Sequence, residues 1–232
     1  VRNEDLKRIR DLDLFANMRP ENFEALTQAA FLQRFPEQVT LIREGDPADF
    51  LHVVTAGAVE LYASAGGRET TLELVRPVST FILAAVLRDQ AYLMSARTLE
   101  RSQILMIPAT SVREVFAADE AFARAIVDEL AGRFRTVVKA LKNQKLRSSV
   151  ERLANYLLRL QQEQDDGPRV ELPVDKRTIA SLLGMTPENL SRAFGTLAPY
   201  GVRVEGRTLF LDKPEDLRGL AKPSPLIDDP TS

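Results

Sequence analysis

Residues 172–211 read LPVDKRTIASLLGMTPENLSRAFGTLAPYGVRVEGRTLFL, and this stretch decides the reading of the whole chain. Asp175 stands where it can cap a helix whose Ile179, Leu182 and Leu183 make one apolar stripe. Gly184 ends that helix by supplying the left-handed backbone of a tight turn. Thr186 followed by Pro187 starts a second helix, cap first and proline at the first helical position. Its Leu190, Phe194 and Leu197 share a buried face, and Glu188, Ser191 and Arg192 stand opposite at i, i+3 and i+4. A helix–turn–helix lays such a second helix in the DNA major groove. The three exposed residue types suit base edges: arginine donates twice to guanine, glutamate accepts from cytosine, and serine adapts to either role.

Two short helices around a glycine with a solvated charged face are the alternative, and the continuation weighs against it. Gly201, Val202, Val204 and Gly206, then Thr208-Leu209-Phe210-Leu211, form two short β segments around a glycine turn. That is the wing of a winged helix, with Arg203 and Arg207 placed to reach phosphates. With Thr186 and Asn189 at the helix start, these residues complete the candidate contacts to double-stranded DNA.

The rest of the chain frames this module. A length of 232 residues suits two ordinary domains, and a formal net charge of −2 excludes a polybasic coat protein. Positive charge is local: Lys139, Lys142, Lys145, Arg147 and Arg152 face only Glu151 among acids in that span, a strip that could follow phosphates or form a solvated face. No apolar run has transmembrane length and no signal peptide opens the sequence, so a cytoplasmic protein without membrane attachment is expected. The absence of cysteine excludes disulfides, thiol catalysis and thiolate-held iron–sulfur clusters. One histidine, no phosphate-cradling glycine loop and no nucleophile–base set argue against an enzyme; Asp165-Asp166, in the loop 164–168, is solvated charge.

After an amphipathic opening from Leu6 to Ala30, residues 39–107 are short alternating segments. Thr40-Leu41-Ile42, Leu51 to Val54, Val59 to Tyr62 and Thr70 to Leu74 are separated by Glu44-Gly45-Asp46-Pro47, Ala56-Gly57 and Gly66-Gly67, and two further segments follow from Ser95 to Ile107. Such spacing predicts a small antiparallel barrel or jelly roll. A long helix capped by Asp119 follows, with Phe122, Ile126, Leu130, Phe134, Val137 and Leu141 as a narrow seam that predicts a homodimer interface. Residues 143–149 read as a hinge, a further helix runs from Val150 to Gln162, and Lys222 to Ser232 reads as a disordered tail. The expected fold is therefore α+β: a double-stranded β-helix (jelly-roll) sensor at 1–118, a dimerisation helix and hinge at 119–147, a winged helix–turn–helix at 148–221 and a tail at 222–232.

Architecture and residues together resemble the Crp/Fnr family of bacterial transcription regulators over nearly the whole chain. The carrying pieces are Leu41-Ile42-Arg43-Glu44-Gly45-Asp46-Pro47-Ala48, Leu51 to Val59, Glu188-Asn189-Leu190-Ser191-Arg192 and Glu205-Gly206-Arg207. The E-x-x-S-R form is similar to the Fnr side of the family, since the cyclic-AMP receptor side usually has glycine in place of Ser191. The resemblance implies a TTG half-site with an inverted CAA partner, Arg192 on guanine, Glu188 on its paired cytosine or a neighbouring base, and Ser191 on a thymine. Pro187 replaces a frequent arginine, which leaves the outermost base open. It also implies RNA polymerase as a protein partner.

The sensor segment departs from the family pattern. Cyclic-nucleotide binders carry a Gly-Glu pair and then Arg-[Ser/Thr]-Ala about a dozen residues later; here Ile82 replaces the glycine, Leu83 the glutamate and Met94 the arginine. A buried phosphate without a counter-charge is costly, and Arg97, three residues late, projects to the opposite face of a strand from Met94. Cyclic AMP is thus not the expected effector. An apolar ligand lodged among Phe81, Ile82, Leu83, Met94 and Arg97, haem, or no small effector stay open, and the same apolar residues serve equally as core. Resemblance to the nitric-oxide-responsive branch brings haem into view, with His52 as the one imidazole and structural packing as its preferred role. A ligand-binding or interaction module lacking specific DNA binding is the alternative function, and the intact Glu188, Ser191 and Arg192 set speaks against it.

Overall fold

A computed structural model of the chain describes residues 3–165 and 167–229, so Asp166 of the expected loop and residues 230–232 of the expected tail lie outside the described residues. The described residues divide into two compact units between Arg133 and Phe134.

The first unit opens with helices α1 (Asn3–Arg10), α2 (Asp13–Ala16) and α3 (Pro20–Ala29). Strands β1 (Phe31–Phe35), β2 (Thr40–Ile42), β3 (Phe50–Ala56), β4 (Val59–Ala65), β5 (Arg68–Val75) and β6 (Ser79–Phe81) follow. Helix α4 (Leu83–Arg88), strands β7 (Ser95–Thr98) and β8 (Ser102–Pro108) and helix α5 (Ala109–Ala118) complete the roll. The strands form two antiparallel sheets, ordered β1-β8-β3-β6 and β2-β7-β4-β5. Residues of both sheets share one core, with Leu51, Val53, Val59, Leu61, Ala96, Ile104 and Leu105 buried in it. Helices α1, α4 and α5 pack on β3, which explains why five consecutive residues of that strand are buried instead of alternating. Gly57 turns the chain from β3 to β4 at φ +85°; a Cβ there would sit 2.6 Å from the Arg101 carbonyl oxygen, so only glycine fits.

Helix α6 (Glu120–Leu146) starts on a buried cap. Asp119 accepts from the Phe122 amide at 3.1 Å, the Arg19 amide at 2.9 Å and the Asn22 side chain at 2.8 Å, tying the start of α6 to α3. Burial opposes charge on this carboxyl, but the bonds from Asn22, Arg19 and Phe122 outweigh it and bring its pKa down to about 2. Phe122 stacks on Phe15 at 6.0 Å, and Phe122 and Ile126 are buried in the core of the first unit. These two therefore leave the expected dimer seam: the first turns of α6 are covered by the chain's own roll. Leu130 is partly buried against the same core. Phe134, Val137 and Leu141 are 69%, 63% and 56% exposed, and Val127, which the periodicity did not single out, is 60% exposed.

The second unit continues with α7 (Ser149–Glu163), β9 (Arg169–Glu171), α8 (Lys176–Leu182), α9 (Pro187–Leu197), β10 (Val202–Glu205), β11 (Thr208–Leu211), α10 (Pro214–Ala221) and α11 (Pro225–Asp228). Within the expected hinge, only Arg147 and Ser148 separate α6 from α7. Ser148 caps α7 through a reciprocal box, its amide donating to Glu151 at 2.8 Å and its hydroxyl accepting from the Glu151 amide. The wing is three-stranded, ordered β10-β11-β9, because Val170 pairs opposite Leu209. Residues 222–229 are not the expected disordered tail: α11 forms, and Arg147 holds Asp228 across 81 residues of sequence.

Candidate nucleic-acid interface and sensor site

Local chemistry builds the candidate reading helix. Asp175 accepts from the Thr178 amide at 2.8 Å and so caps α8, whose Ile179, Ala180 and C-cap Leu183 are buried while Leu182 is half-buried. Gly184 turns at φ +63°, where a Cβ would lie 2.7 Å from the Gln144 side chain. Thr186 accepts from the Asn189 amide at 3.3 Å and Pro187 opens α9. Leu190, Ala193, Phe194 and Leu197 bury one face, which leaves Glu188, Asn189, Ser191 and Arg192 exposed on the other with Thr186 at its start.

Each exposed group has a defined state. Hydrogen bonds from its own amide and from the Thr186 hydroxyl hold the Glu188 carboxyl below the usual carboxylate range, so it is an acceptor at neutral pH. The Arg192 guanidinium bonds the Asn189 side-chain oxygen, which keeps it along the helix face. Thr196, one turn beyond Arg192, extends the exposed row; its i+4 step from Arg192 was the available signal, and sequence reasoning passed over it. In the wing, Arg203 lies 4.3 Å over the Phe210 ring and bonds Asp212 and Glu205. Arg207 donates to the Leu172 carbonyl at 3.1 Å. Both wing arginines are thus exposed but engaged with protein partners.

Four of the five sensor candidates lie in or against the core of the first unit. Phe81 and Leu83 are core residues, while Ile82 and Met94 are half-buried against that core. Ile82 nevertheless holds left-handed backbone at φ 62°, ψ 30°, a conformation natural to glycine and strained for a β-branched residue. Arg97 bonds Glu60 at 2.7 Å and Glu69 at 3.0 Å and lies 4.3 Å over the Tyr62 ring. Glu60 is 3% exposed and also accepts from Thr71 at 2.6 Å, so the charge of Arg97 is consumed within the sheet.

His52 sits in a ring stack, 5.2 Å from Phe81 and 6.4 Å from Phe50, and is 4% exposed. Serving as a haem ligand would require it to leave that stack, so the imidazole fills core. Burial, only partly offset by a backbone hydrogen bond with Phe50, lowers its pKa to about 4. The folded state therefore excludes a proton that the unfolded chain accepts near 6.5. Stability is full above about pH 6.5 and declines as pH falls toward 4, with roughly 3 kcal/mol lost below both values. Urea unfolding across pH 4–7 is expected to show this decline in the wild type and a shallower one in His52→Leu; parallel curves would reject the assignment.

One residue missed by sequence reasoning joins α6 to the roll. Arg133 bonds Glu73 of β5 at 2.7 Å, the Thr80 carbonyl of β6 at 2.6 Å and Glu129 at 3.0 Å. An arginine on an amphipathic helix reads as solvated, and nothing local announced these partners.

Residues 32–119 match the family model of the cyclic nucleotide-binding domain, and residues 151–220 match that of the Crp-like helix-turn-helix domain. The chain belongs to the Crp/Fnr family of transcription regulators. It is 26% identical over 215 residues to the CRP-like cAMP-activated global transcriptional regulator of Mycobacterium tuberculosis, covering 90% of this chain and 96% of that one. Over 74 residues it is 36% identical to the nitrogen fixation regulation protein FixK of Rhizobium meliloti, 31% of this chain and 35% of that one. The solved structure of FixK2 from Bradyrhizobium japonicum superposes with a TM-score of 0.73 at 23% identity, covering 84% of this chain and 98% of that chain, a likeness of fold. As a Crp/Fnr member the chain is a DNA-binding transcription regulator and not an enzyme. Among the described residues no helix is long and apolar enough to cross a membrane.

Proposed function

We propose that this Crp/Fnr regulator acts as a homodimer, reads a TTG–CAA palindrome, and is controlled through its roll without cyclic AMP. The observation that carries the reading is the exposed Glu188–Ser191–Arg192 face on α9, fixed by the Thr186 cap and backed by a fully apolar opposite face. The dimer rests on the exposed seam of Phe134, Val137 and Leu141, with Val127 in line. Independence from cyclic AMP rests on the buried Leu83 and half-buried Met94 where the family's nucleotide binders carry charge, and on Arg97 being spent on Glu60 and Glu69. The Mycobacterium relative is named for cAMP activation, and this chain differs from the nucleotide-binding pattern at those positions. Control passes through Arg133: a change in β5 or β6 that alters its bonds to Glu73 and Thr80 alters the packing of α6. RNA polymerase, implied by the family, is the protein partner at a promoter.

Equilibrium titration of a TTG–CAA duplex and a scrambled duplex, with and without saturating cyclic AMP, tests this. The expected result is a preference for the palindrome of about a thousand-fold or more, unchanged by the nucleotide. Equal binding of the two duplexes rejects the readout; a preference that appears only with cyclic AMP rejects the ligand independence.

A further inference from the structure

Three cations at the end of α6 are covered by the segment that follows α10. Arg147, 7% exposed at its side chain, makes a two-point bond to Asp228 at 2.6 and 2.5 Å and a third bond to Asn143 at 3.1 Å. Lys139 donates to the Asp229 carbonyl at 2.7 Å and Lys142 to the Leu226 carbonyl at 3.2 Å. The Ser224 amide donates to Asp228 at 2.7 Å, so the segment presents its carboxylate preorganised. One carboxylate and two carbonyl oxygens thus occupy a basic edge, an acceptor set of the kind that a phosphate row offers. This edge adjoins the turn before the reading helix: the Gln144 side chain lies against Gly184, and Arg152 bonds both the Arg147 carbonyl at 2.8 Å and the Leu183 carbonyl at 2.9 Å.

We propose that Lys139, Lys142 and Arg147 form a second phosphate-binding edge for duplex DNA, which residues 224–229 mask as an intramolecular stand-in for the nucleic-acid backbone. The inference rests on α9 being the DNA-reading helix. Exchanging a carboxylate for a phosphate conserves the charge-assisted bonds, and counterions released from DNA favour the exchange at low salt. Masking weakens sequence-independent binding, so the specific contacts of α9 decide where the protein resides.

The test is the affinity for a scrambled duplex as a function of salt, measured by fluorescence anisotropy on the full chain and on Asp228→Ala. Asp228→Ala is expected to bind at least five-fold more tightly near 0.1 M salt. Its log–log salt slope should steepen by about one to three, since each phosphate contact contributes roughly 0.9. Glu215→Ala, which removes an exposed negative charge from α10, controls for net charge and should change neither quantity comparably. Adding Lys139→Ala and Lys142→Ala to Asp228→Ala should reverse most of the gain. If Asp228→Ala unfolds at the assay temperature, Asp228→Asn, which keeps an acceptor oxygen, is expected to give a smaller gain of the same sign. Asp228 variants indistinguishable from Glu215→Ala overturn the proposal. The palindrome-to-scrambled ratio of the unaltered chain, from the same titrations, is independent of this outcome: a ratio of one rejects the reading of α9 itself.

Discussion

Arg192→Ala is expected to erase the preference for the TTG–CAA palindrome while leaving the dimer and its melting temperature intact. The side chain is exposed and its bond within the protein goes to the neighbouring Asn189, so removing it costs the fold little. In the proposed complex this side chain would donate two hydrogen bonds to one guanine, worth about 1–3 kcal/mol of discrimination per half-site. Over two half-sites the loss is about 2–6 kcal/mol, which lowers specificity by roughly thirty-fold to twenty-thousand-fold. In the same proposed complex Glu188 would add to this effect, because its carboxylate, held below the usual range, would face the base pair without its cationic neighbour. The measurement is a competition titration of palindrome against scrambled duplex. Retained preference would move the readout away from α9 altogether.

Placing glutamate at Phe134, Val137 and Leu141 together is expected to give a monomer that no longer binds the palindrome. Val127, Leu130, Phe134, Val137 and Leu141 follow steps of three and four, the period of a two-helix seam, and all but Leu130 are more than half exposed in the single chain. Each large apolar side chain contributes roughly 1.5–3 kcal/mol when fully buried. Six of them across two chains supply about 9–18 kcal/mol, a range that spans the roughly 12 kcal/mol of a nanomolar complex. Glutamate is a good helix former, so α6 itself should persist by circular dichroism. Light scattering after size exclusion reads the mass directly. A variant that stays dimeric would place the interface on another surface.

The parts of the chain legible in the sequence are those whose causes are local. Caps at Asp175 and Thr186, proline at 187 and glycine at 184 each act within a turn, and the helix–turn–helix follows from them. Strands β2 to β5 are bracketed by their turn residues, whereas β1 falls in the gap between the opening stretch that ends at Ala30 and the alternating segments that begin at residue 39, and β6 and α4 are too short for a period to show. Periodicity found the apolar stripe of α6 but not what covers each part of it. Phe122 and Ile126 face Phe15 and the roll, a fact written more than a hundred residues away. Long-range charge escaped for the same reason: Arg133 with Glu73, and Arg147 with Asp228, pair across stretches in which composition alone suggests solvated ends. Among the sensor candidates, the sequence located the departures at Ile82, Leu83 and Met94 and offered core as one role for the apolar ones; Phe81 and Leu83 take that role.

The left-handed backbone at Ile82 has a meaning for how such sensors diverge. The turn into α4 retains the conformation that a glycine would adopt freely, although its side chain is now branched and apolar. On the proposed independence from cyclic AMP, one backbone frame carries hydrocarbon where the family's nucleotide binders carry charge. What such a roll responds to would then hang on a few side chains set on a fixed turn, with no change asked of the proposed DNA-reading helix.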